Sequence, residues 1–181
     1  GAGTSIITVS PVSTTDYTVT VTNASGCTDT EESTVTVNAV PTASIAGTTT
    51  ICNGKSTNLT ASGGTSYSWN IGAGTSIITV SPVSTTDYTV TVTNASGCTD
   101  TEESTVTVNA VPTASIAGTT TICNGKSTNL TASGGTTYGW STGAGTSIIT
   151  VSPGATTDYT VTVTNASGCT DTEESTVTVN A

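Results

Sequence analysis

A segment of 13 residues occurs three times without a single change, and it constrains the fold more than any other feature. The copies are Thr15–Cys27, Thr86–Cys98 and Thr157–Cys169, so successive copies lie 71 residues apart. In each copy Thr alternates with Tyr or Val, which is the period of a strand with one buried face. The turn sequence Asn-Ala-Ser-Gly and a second alternating run follow, so every copy predicts a β-hairpin.

The repeat predicts three domains, which are residues 1–38, 39–109 and 110–181. The first matches 72–109 at every position and is therefore a partial domain that holds only the C-terminal strands, beginning with a strand at Ser5–Ser10. Half of its core would be exposed, so we expect residues outside this chain to complete it. An Ala-Val-Pro-Thr segment begins each complete repeat, and its proline predicts a short, stiff joint.

Each complete repeat contains about seven short alternating runs separated by turn residues, which is the pattern of an immunoglobulin-like sandwich. We therefore predict an all-β chain of tandem immunoglobulin-like β-sandwiches, arranged end to end. This fold buries a Trp on its third strand and a Tyr near the start of its sixth, which assigns Trp69, Tyr88, Trp140 and Tyr159 to the core. The alternative is a sugar-stacking platform made of Trp69, Trp140 and Tyr67.

The composition excludes several classes of function. The formal net charge is −10, from 12 acidic residues against Lys55 and Lys126. Such a chain repels phosphate, so we expect neither nucleic acid nor an anionic membrane surface as a partner. It contains no His and no Cys-x-x-Cys pair, and no catalytic constellation is present, so we do not expect an enzyme. No apolar run is long enough to predict membrane insertion of this segment.

Cysteine recurs in register through the repeats, at residues 27, 52, 98, 123 and 169. In small, hydroxyl-rich domains, regularly placed Cys predicts disulfides and an oxidising, extracellular location. One alternative is a disulfide inside each complete repeat, which would join Cys52 to Cys98 and Cys123 to Cys169. The other alternative is a single disulfide between repeats, from Cys52 to Cys169.

The predicted strand positions favour the bond between repeats. Cys52 ends the first strand at one end of its sandwich, and Cys98 follows the hairpin turn at the other end. A typical strand separates those ends by ~17–20 Å, whereas a disulfide needs Cα atoms within about 7 Å. If the repeats lie end to end, the bottom of one faces the top of the next, which brings Cys52 near Cys169. Cys27, Cys98 and Cys123 would then find their partners outside this chain.

Acidic residues gather after each hairpin turn, close to a predicted joint. Oxygen-rich clusters of this kind can hold calcium, although acids at alternate strand positions more often form a solvated face. No calcium-binding loop of the EF-hand type is present. Calcium is thus the one cofactor that the sequence suggests, and its candidate ligands are Asp100, Glu102, Glu103, Asp171, Glu173 and Glu174.

Several short motifs of the repeat resemble a known group of proteins. The motifs are Ile51–Gly54, Leu59–Gly64, Tyr67–Trp69, Ile78–Pro82, Tyr88–Asn94 and Gly97-Cys98. They resemble the tandem Ig-like (PKD-like) repeats of Bacteroidota cell-surface adhesins, including gliding-type adhesins secreted by the type IX route. The resemblance brings no catalytic residues with it.

What the resemblance implies is a structural role. It suggests a repeat segment of an extracellular fibre or adhesin stalk that provides reach and stiffness. The partners would be neighbouring repeats of the same protein and other chains of a filament. Two alternatives remain, a glycan-binding Ig-like module and a spacer within a secreted surface enzyme.

Overall fold

The computed structural model describes residues 5–181, and within that range it contains sixteen β-strands and no helix. The prediction of an all-β chain with Ig-like sandwich repeats is confirmed. Residues 5–38 form one hairpin, made of β1 (Thr15–Thr22) and β2 (Thr28–Val35). The strands of the 39–109 repeat are β3 (Ser44–Gly47), β4 (Thr50–Cys52), β5 (Thr57–Ser62), β6 (Ser66–Trp69), β7 (Ile77–Val80), β8 (Thr86–Thr93) and β9 (Thr99–Asn109). Those of the 110–181 repeat are β10 (Ser115–Gly118), β11 (Thr121–Cys123), β12 (Thr128–Ser133), β13 (Thr137–Trp140), β14 (Ile148–Val151), β15 (Thr157–Thr164) and β16 (Thr170–Asn180).

The seven strands of the 110–181 repeat form two sheets. One has the order β10-β12-β14 and the other the order β11-β16-β15-β13. All pairings are antiparallel except that of β11 with β16, which is parallel. A first strand that pairs in one sheet and then continues in the other is a feature of Ig-like sandwiches. The 39–109 repeat has the corresponding strand orders, β3-β5-β7 and β4-β9-β8-β6.

The core of the 110–181 repeat follows the alternation in its sequence. Tyr159, Val161 and Val163 of β15 are buried, whereas the Thr residues between them are half-buried on the other face. Because successive side chains of a strand point to opposite faces, this pattern buries one side of the sheet. The buried core consists of Ala114, Ile122, Leu130, Ala132, Trp140, Ile149, Val151, Tyr159, Val161, Val163 and Val177.

The parallel pairing places the first cysteine of each complete repeat beside the end of the last strand of that repeat. In the 39–109 repeat β4 pairs with β9 so that Cys52 lies opposite Asn109. The amide of Asn53 then donates to the carbonyl of Asn109 at 2.8 Å. Cys123 lies opposite Asn180 in the same way. Cys52 therefore lies next to the start of the joint Ala110–Thr113.

The chain divides into two compact units, and the division passes through the 39–109 repeat. One unit contains residues 5–46 with the segments 60–78 and 88–103. The other contains the segments 47–59 and 79–87 with everything from Ser104 onward. The segment that carries β4 and Cys52 therefore belongs to the same compact unit as the whole 110–181 repeat. The predicted domain boundaries at residues 39 and 110 stay predictions.

The expected strand at Ser5–Ser10 is absent, and the hairpin is shorter than its copy in the 110–181 repeat; both differences have the same physical cause. Ser5–Ser10 is not a strand, although the matching residues of β14 form one by pairing with β12. β2 ends at Val35, whereas β16 continues three residues further, where it pairs with β11. Residues 5–38 contain no counterpart of β11 or β12. Without those partners the backbone of the same sequence has nothing to pair with, so it forms no strand there.

A substitution at Gly134 tests the packing at the start of the sandwich formed by the 110–181 repeat. Its φ is +106°, and a Cβ at this position would lie 1.9 Å from the carbonyl oxygen of Thr113. The change Gly134→Ala should therefore destabilise the 110–181 repeat by about 2 kcal/mol or more, because both backbone strain and a clash with main chain are introduced.

The matched control is Gly154→Ala, since a Cβ there meets nothing within 4 Å. The midpoint of urea unfolding, monitored by Trp fluorescence, is measured for both variants. Equal midpoints for the two variants would contradict the backbone geometry at Gly134.

Candidate functional site

A disulfide bond joins the two complete repeats. It links Cys52 to Cys169, with the Cα atoms 5.7 Å apart and a sequence separation of 117 residues. Cys52 is the last residue of β4, and Cys169 lies between the hairpin turn and the start of β16. Both residues belong to the same compact unit. This is the bond between repeats that the strand positions favour.

The two disulfides inside repeats are not formed, because Cys52 and Cys169 bond to each other. The reason is visible in the 110–181 repeat. Cys123 lies opposite Asn180 at the end of β16, and Cys169 precedes the first residue of that strand. A strand rises ~3.3 Å per residue, so the length of β16 keeps the Cα atoms of these two cysteines ~36 Å apart. Cys27, Cys98 and Cys123 are free thiols, of which Cys27 and Cys123 are exposed and Cys98 is half-buried.

The hairpin turn holds its cysteine in the same way whether or not the sulfur is bonded. In the turn before Cys169, the Asn165 side-chain oxygen accepts from the amides of Ser167 and Cys169 at 3.0 Å each. The turn before Cys98, which is a free thiol, contains the same pair of bonds to Asn94. The turn is therefore built by its own sequence, and it presents a cysteine without help from the disulfide.

The joint that begins each complete repeat is tied to the hairpin of that same repeat. The side-chain amide of Asn165 donates to the carbonyl of Ala110 at 2.8 Å, and the amide of Ala114 donates to Oδ2 of Asp171 at 2.9 Å. The 39–109 repeat has both bonds, from Asn94 to the carbonyl of Ala39 and from the amide of Ala43 to Asp100, each at 2.8 Å. We call each Asn and Asp pair a joint clamp. It fixes both ends of the Ala-Val-Pro-Thr segment.

Sequence reasoning did not find the joint clamps. It placed Asn94 in a turn and assigned Asp100 to a calcium site, since both roles can be read from neighbouring residues. The clamp bonds instead join residues 55 and 57 positions apart in the chain. The one available signal was that these spacings recur unchanged in the next repeat.

The six candidate calcium ligands are spread over several separate interactions in the structure. Within residues 5–181, no three Asp, Glu, Cys or His side chains lie close enough together to hold a metal ion. Asp100 and Asp171 accept hydrogen bonds from the joints, whereas Glu102 and Glu173 are exposed. The remaining two acids, Glu103 and Glu174, lie 3.4 Å from the Thr89 and Thr160 hydroxyls. The binding of calcium stays a prediction.

The core contains both tryptophans, so they do not form an exposed sugar-stacking platform. Trp69 is 2% exposed and Trp140 is 4% exposed. Their indole N–H groups donate to the carbonyls of Thr75 and Thr146 at 2.9 Å, so the polar atom of each ring is satisfied inside the sandwich. Tyr88 and Tyr159 are buried as well. Tyr67 is half-buried, and its hydroxyl donates to the carbonyl of Gly64 at 3.0 Å.

An apolar face is exposed on residues 5–38. Val19 and Val21 are 56% and 61% exposed, whereas Val161 and Val163, at the same positions of the 110–181 repeat, are 0% exposed. A groove of about 260 Å³ runs along this face and is lined in part by Ile7, Val9, Tyr17 and Val35. That residues outside this chain cover the face stays a prediction.

Comparison with known proteins gives no family and no curated relative. No protein-family model matches the chain. A search of curated proteins also finds no match.

Among the residues that the structure describes, there is no helix of the length and apolarity that crossing a bilayer requires.

Several solved structures are distantly similar. They include a structure from a 1.5-MDa bacterial ice-binding adhesin (19% identity, TM-score 0.38, 91% of this chain and 74% of that one). A Ca²⁺-stabilised adhesin with which an Antarctic bacterium binds ice is similar too (17% identity, TM-score 0.38, 93% of this chain and 57% of that one). A third is SGBP-B of a Bacteroides ovatus mixed-linkage glucan utilization locus, in complex with a heptasaccharide (19% identity, TM-score 0.24, 93% of this chain and 53% of that one).

This chain spans little more than half the length of the second and third of these chains. All three TM-scores are 0.38 or lower, so we infer the function of this chain from its own residues.

Removal of one clamp residue gives a direct test of the joint. Asp171→Ala leaves the amide of Ala114 without its acceptor, which should cost about 1–2 kcal/mol of the free energy of unfolding. Glu173→Ala is the matched control, because it removes an exposed carboxylate of the same strand and should change stability by less than about 0.5 kcal/mol.

Chemical denaturation monitored by Trp fluorescence measures both changes. If the Asp171 variant were as stable as the Glu173 variant, the bond to the joint would have no energetic role.

Proposed function

We propose that this chain is a non-catalytic segment of an extracellular fibre or adhesin stalk, in which the repeats provide reach and stiffness. The observation that carries the proposal is the disulfide from Cys52 to Cys169, which links one repeat to the next in addition to the polypeptide. A second covalent connection restricts bending and twisting at a joint. Such a bond persists in an oxidising, extracellular environment.

The joint itself supports the same role. Pro112 restricts the backbone of the Ala110–Thr113 segment, and Asn165 and Asp171 hold the two ends of that segment. A flexible linker would need neither a proline nor fixed ends. Together with the disulfide, these features favour a connection that transmits direction from one repeat to the next.

The partners in this proposal are further copies of the repeat, in the same chain or in other chains of a filament. Cys123 has the position of Cys52 in its repeat, and Cys98 has the position of Cys169. Both are free thiols here. In a longer array Cys123 would bond to the hairpin cysteine of an adjoining repeat. Cys98 and Cys27 are hairpin cysteines, so each would bond to the cysteine that ends the second strand of an adjoining repeat. The resemblance of the motifs supports a location on the surface of a Bacteroidota cell.

The stiffness of the joint is the property to test, and small-angle X-ray scattering measures it on this chain. We define the three-serine variant as Cys27→Ser/Cys98→Ser/Cys123→Ser, which removes the free thiols and retains the disulfide. The oxidised three-serine variant should have one narrow distribution of interatomic distances. The further change Cys52→Ser/Cys169→Ser should broaden that distribution, because the joint loses its second connection. An unchanged distribution would contradict a stiffening role.

A glycan array separates the stalk from a glycan-binding module. With Trp69 and Trp140 buried, the oxidised chain should bind no glycan on the array above the level of a scrambled control protein. Saturable binding to one class of glycan would overturn the non-binding stalk in favour of the module.

A further inference from the structure

The disulfide gives the chain two covalent routes between the same two residues. The short route is the disulfide itself, across which the Cα atoms are 5.7 Å apart. The long route is the polypeptide from residue 53 to residue 168, within a sequence separation of 117. When a chain with two parallel routes is pulled, the shorter route becomes taut first and carries the load. The order in which the two routes become taut follows from the connectivity alone. The load itself rests on the proposed function, because a stalk is pulled at its ends.

We propose that the Cys52–Cys169 disulfide is a load-bearing link that shields residues 53–168 from tension. The load passes along the chain to Cys52, across the two sulfur atoms, and from Cys169 to the end of β16. Of the strands in the complete repeats, β3, β4 and β16 lie on this route. The strands from β5 to β15 lie off it.

The longest strand on the route, β16, can carry tension without unfolding. β16 runs from Thr170 to Asn180 as one continuous strand, and Cys169 directly precedes it. A strand rises ~3.3 Å per residue, and a fully extended chain reaches only ~3.3–3.6 Å per residue. Tension that enters β16 at one end and leaves at the other therefore hardly lengthens it. The hydrogen bonds of β16 to β15 and β11 do not have to break.

Without the disulfide the same pull would load the sandwich itself. Tension would enter the 110–181 repeat through its joint and leave through the end of β16. The load would then cross the parallel pairing of β11 with β16, which consists of three residues from each strand. The corresponding pairing in the 39–109 repeat, between β4 and β9, is equally short. These short pairings would separate under load, and the repeats would unravel.

The chain contains its own internal reference for the measurement. The hairpin of β1 and β2 lies before Cys52, so the disulfide does not shield it. Opening the segment from Thr15 to Val35 should release ~70 Å of extended chain. The shielded part is far longer, since 117 residue steps correspond to ~400 Å.

Single-molecule force spectroscopy tests the proposal on the full three-serine variant, held by peptide tags at its two termini. In the oxidised chain we expect the hairpin to open and the contour length to stop at ~200 Å. The variant with the further change Cys52→Ser/Cys169→Ser should extend to ~600 Å at the same force. An oxidised chain that also reached ~600 Å would show that the link is absent, which overturns the proposal.

Reduction during the pull tests the shielding separately from the bond. The oxidised three-serine variant is held at a force at which the repeats remain folded for seconds in the variant that also carries Cys52→Ser/Cys169→Ser. Dithiothreitol is then added to convert the Cys52–Cys169 disulfide to two thiols. If residues 53–168 have remained folded, the ~400 Å should arrive as later unfolding steps, at a rate independent of dithiothreitol concentration. One ~400 Å jump at the moment of cleavage, at a rate proportional to dithiothreitol, would show that the repeats had unravelled despite the link.

The same design keeps two failures apart. If the variant with the further change Cys52→Ser/Cys169→Ser does not fold, the tethered three-serine variant provides the comparison. Reducing its Cys52–Cys169 disulfide gives the contour lengths with and without the bond in the same molecule. If the force measurements agree with the expectation but the scattering does not, the load-bearing link is supported and the stiff stalk is contradicted. A chain that fails the force test loses the link whatever its scattering shows.

Discussion

The disulfide between Cys52 and Cys169 is the interaction on which the other features depend. It forms because each repeat carries its two cysteines at opposite ends of a two-layer sandwich, so that neither can reach the other within one repeat. The parallel pairing of β11 with β16 fixes this arrangement, since Cys123 lies opposite the end of β16 while Cys169 precedes its start. Closing a loop of 117 residues stabilises the folded chain by about 4–5 kcal/mol in a chain-entropy description. For sandwiches of only ~70 residues, each with a small core, that is a large contribution.

The three copies of one hairpin show how much of a strand is decided by its partners. The sequence TDYTVTVT is identical in β1, β8 and β15. In β15 its Val residues are fully buried, whereas in β1 the same residues are more than half exposed. Local propensity therefore forms the hairpin in every copy, and the strands of the front half decide whether its apolar face becomes a core.

Most of the fold could be predicted from the sequence, because alternation, turn residues and the repeat all indicate the same arrangement. The positions of Trp69 and Trp140 within the pattern also predicted their burial. The expected strand at Ser5–Ser10 was wrong because alternation cannot reveal that a pairing partner is absent. The clamp roles of Asn165 and Asp171 were missed for a related reason. Contacts between residues 55 and 57 positions apart depend on how the sheets pack, which no local pattern encodes.

Peptide mapping without reductant tests the central bond most directly, and the composition makes the map simple. Trypsin can cut only after Lys55 and Lys126, which gives the three peptides 1–55, 56–126 and 127–181. In a Cys27→Ser chain, where Cys52 is the one cysteine left in the first peptide, we predict that 1–55 and 127–181 are found as one disulfide-linked species. The middle peptide should then be unlinked. If 56–126 were instead joined to both of the others, Cys52 would be bonded to Cys98 and Cys169 to Cys123, and the link between repeats would not exist.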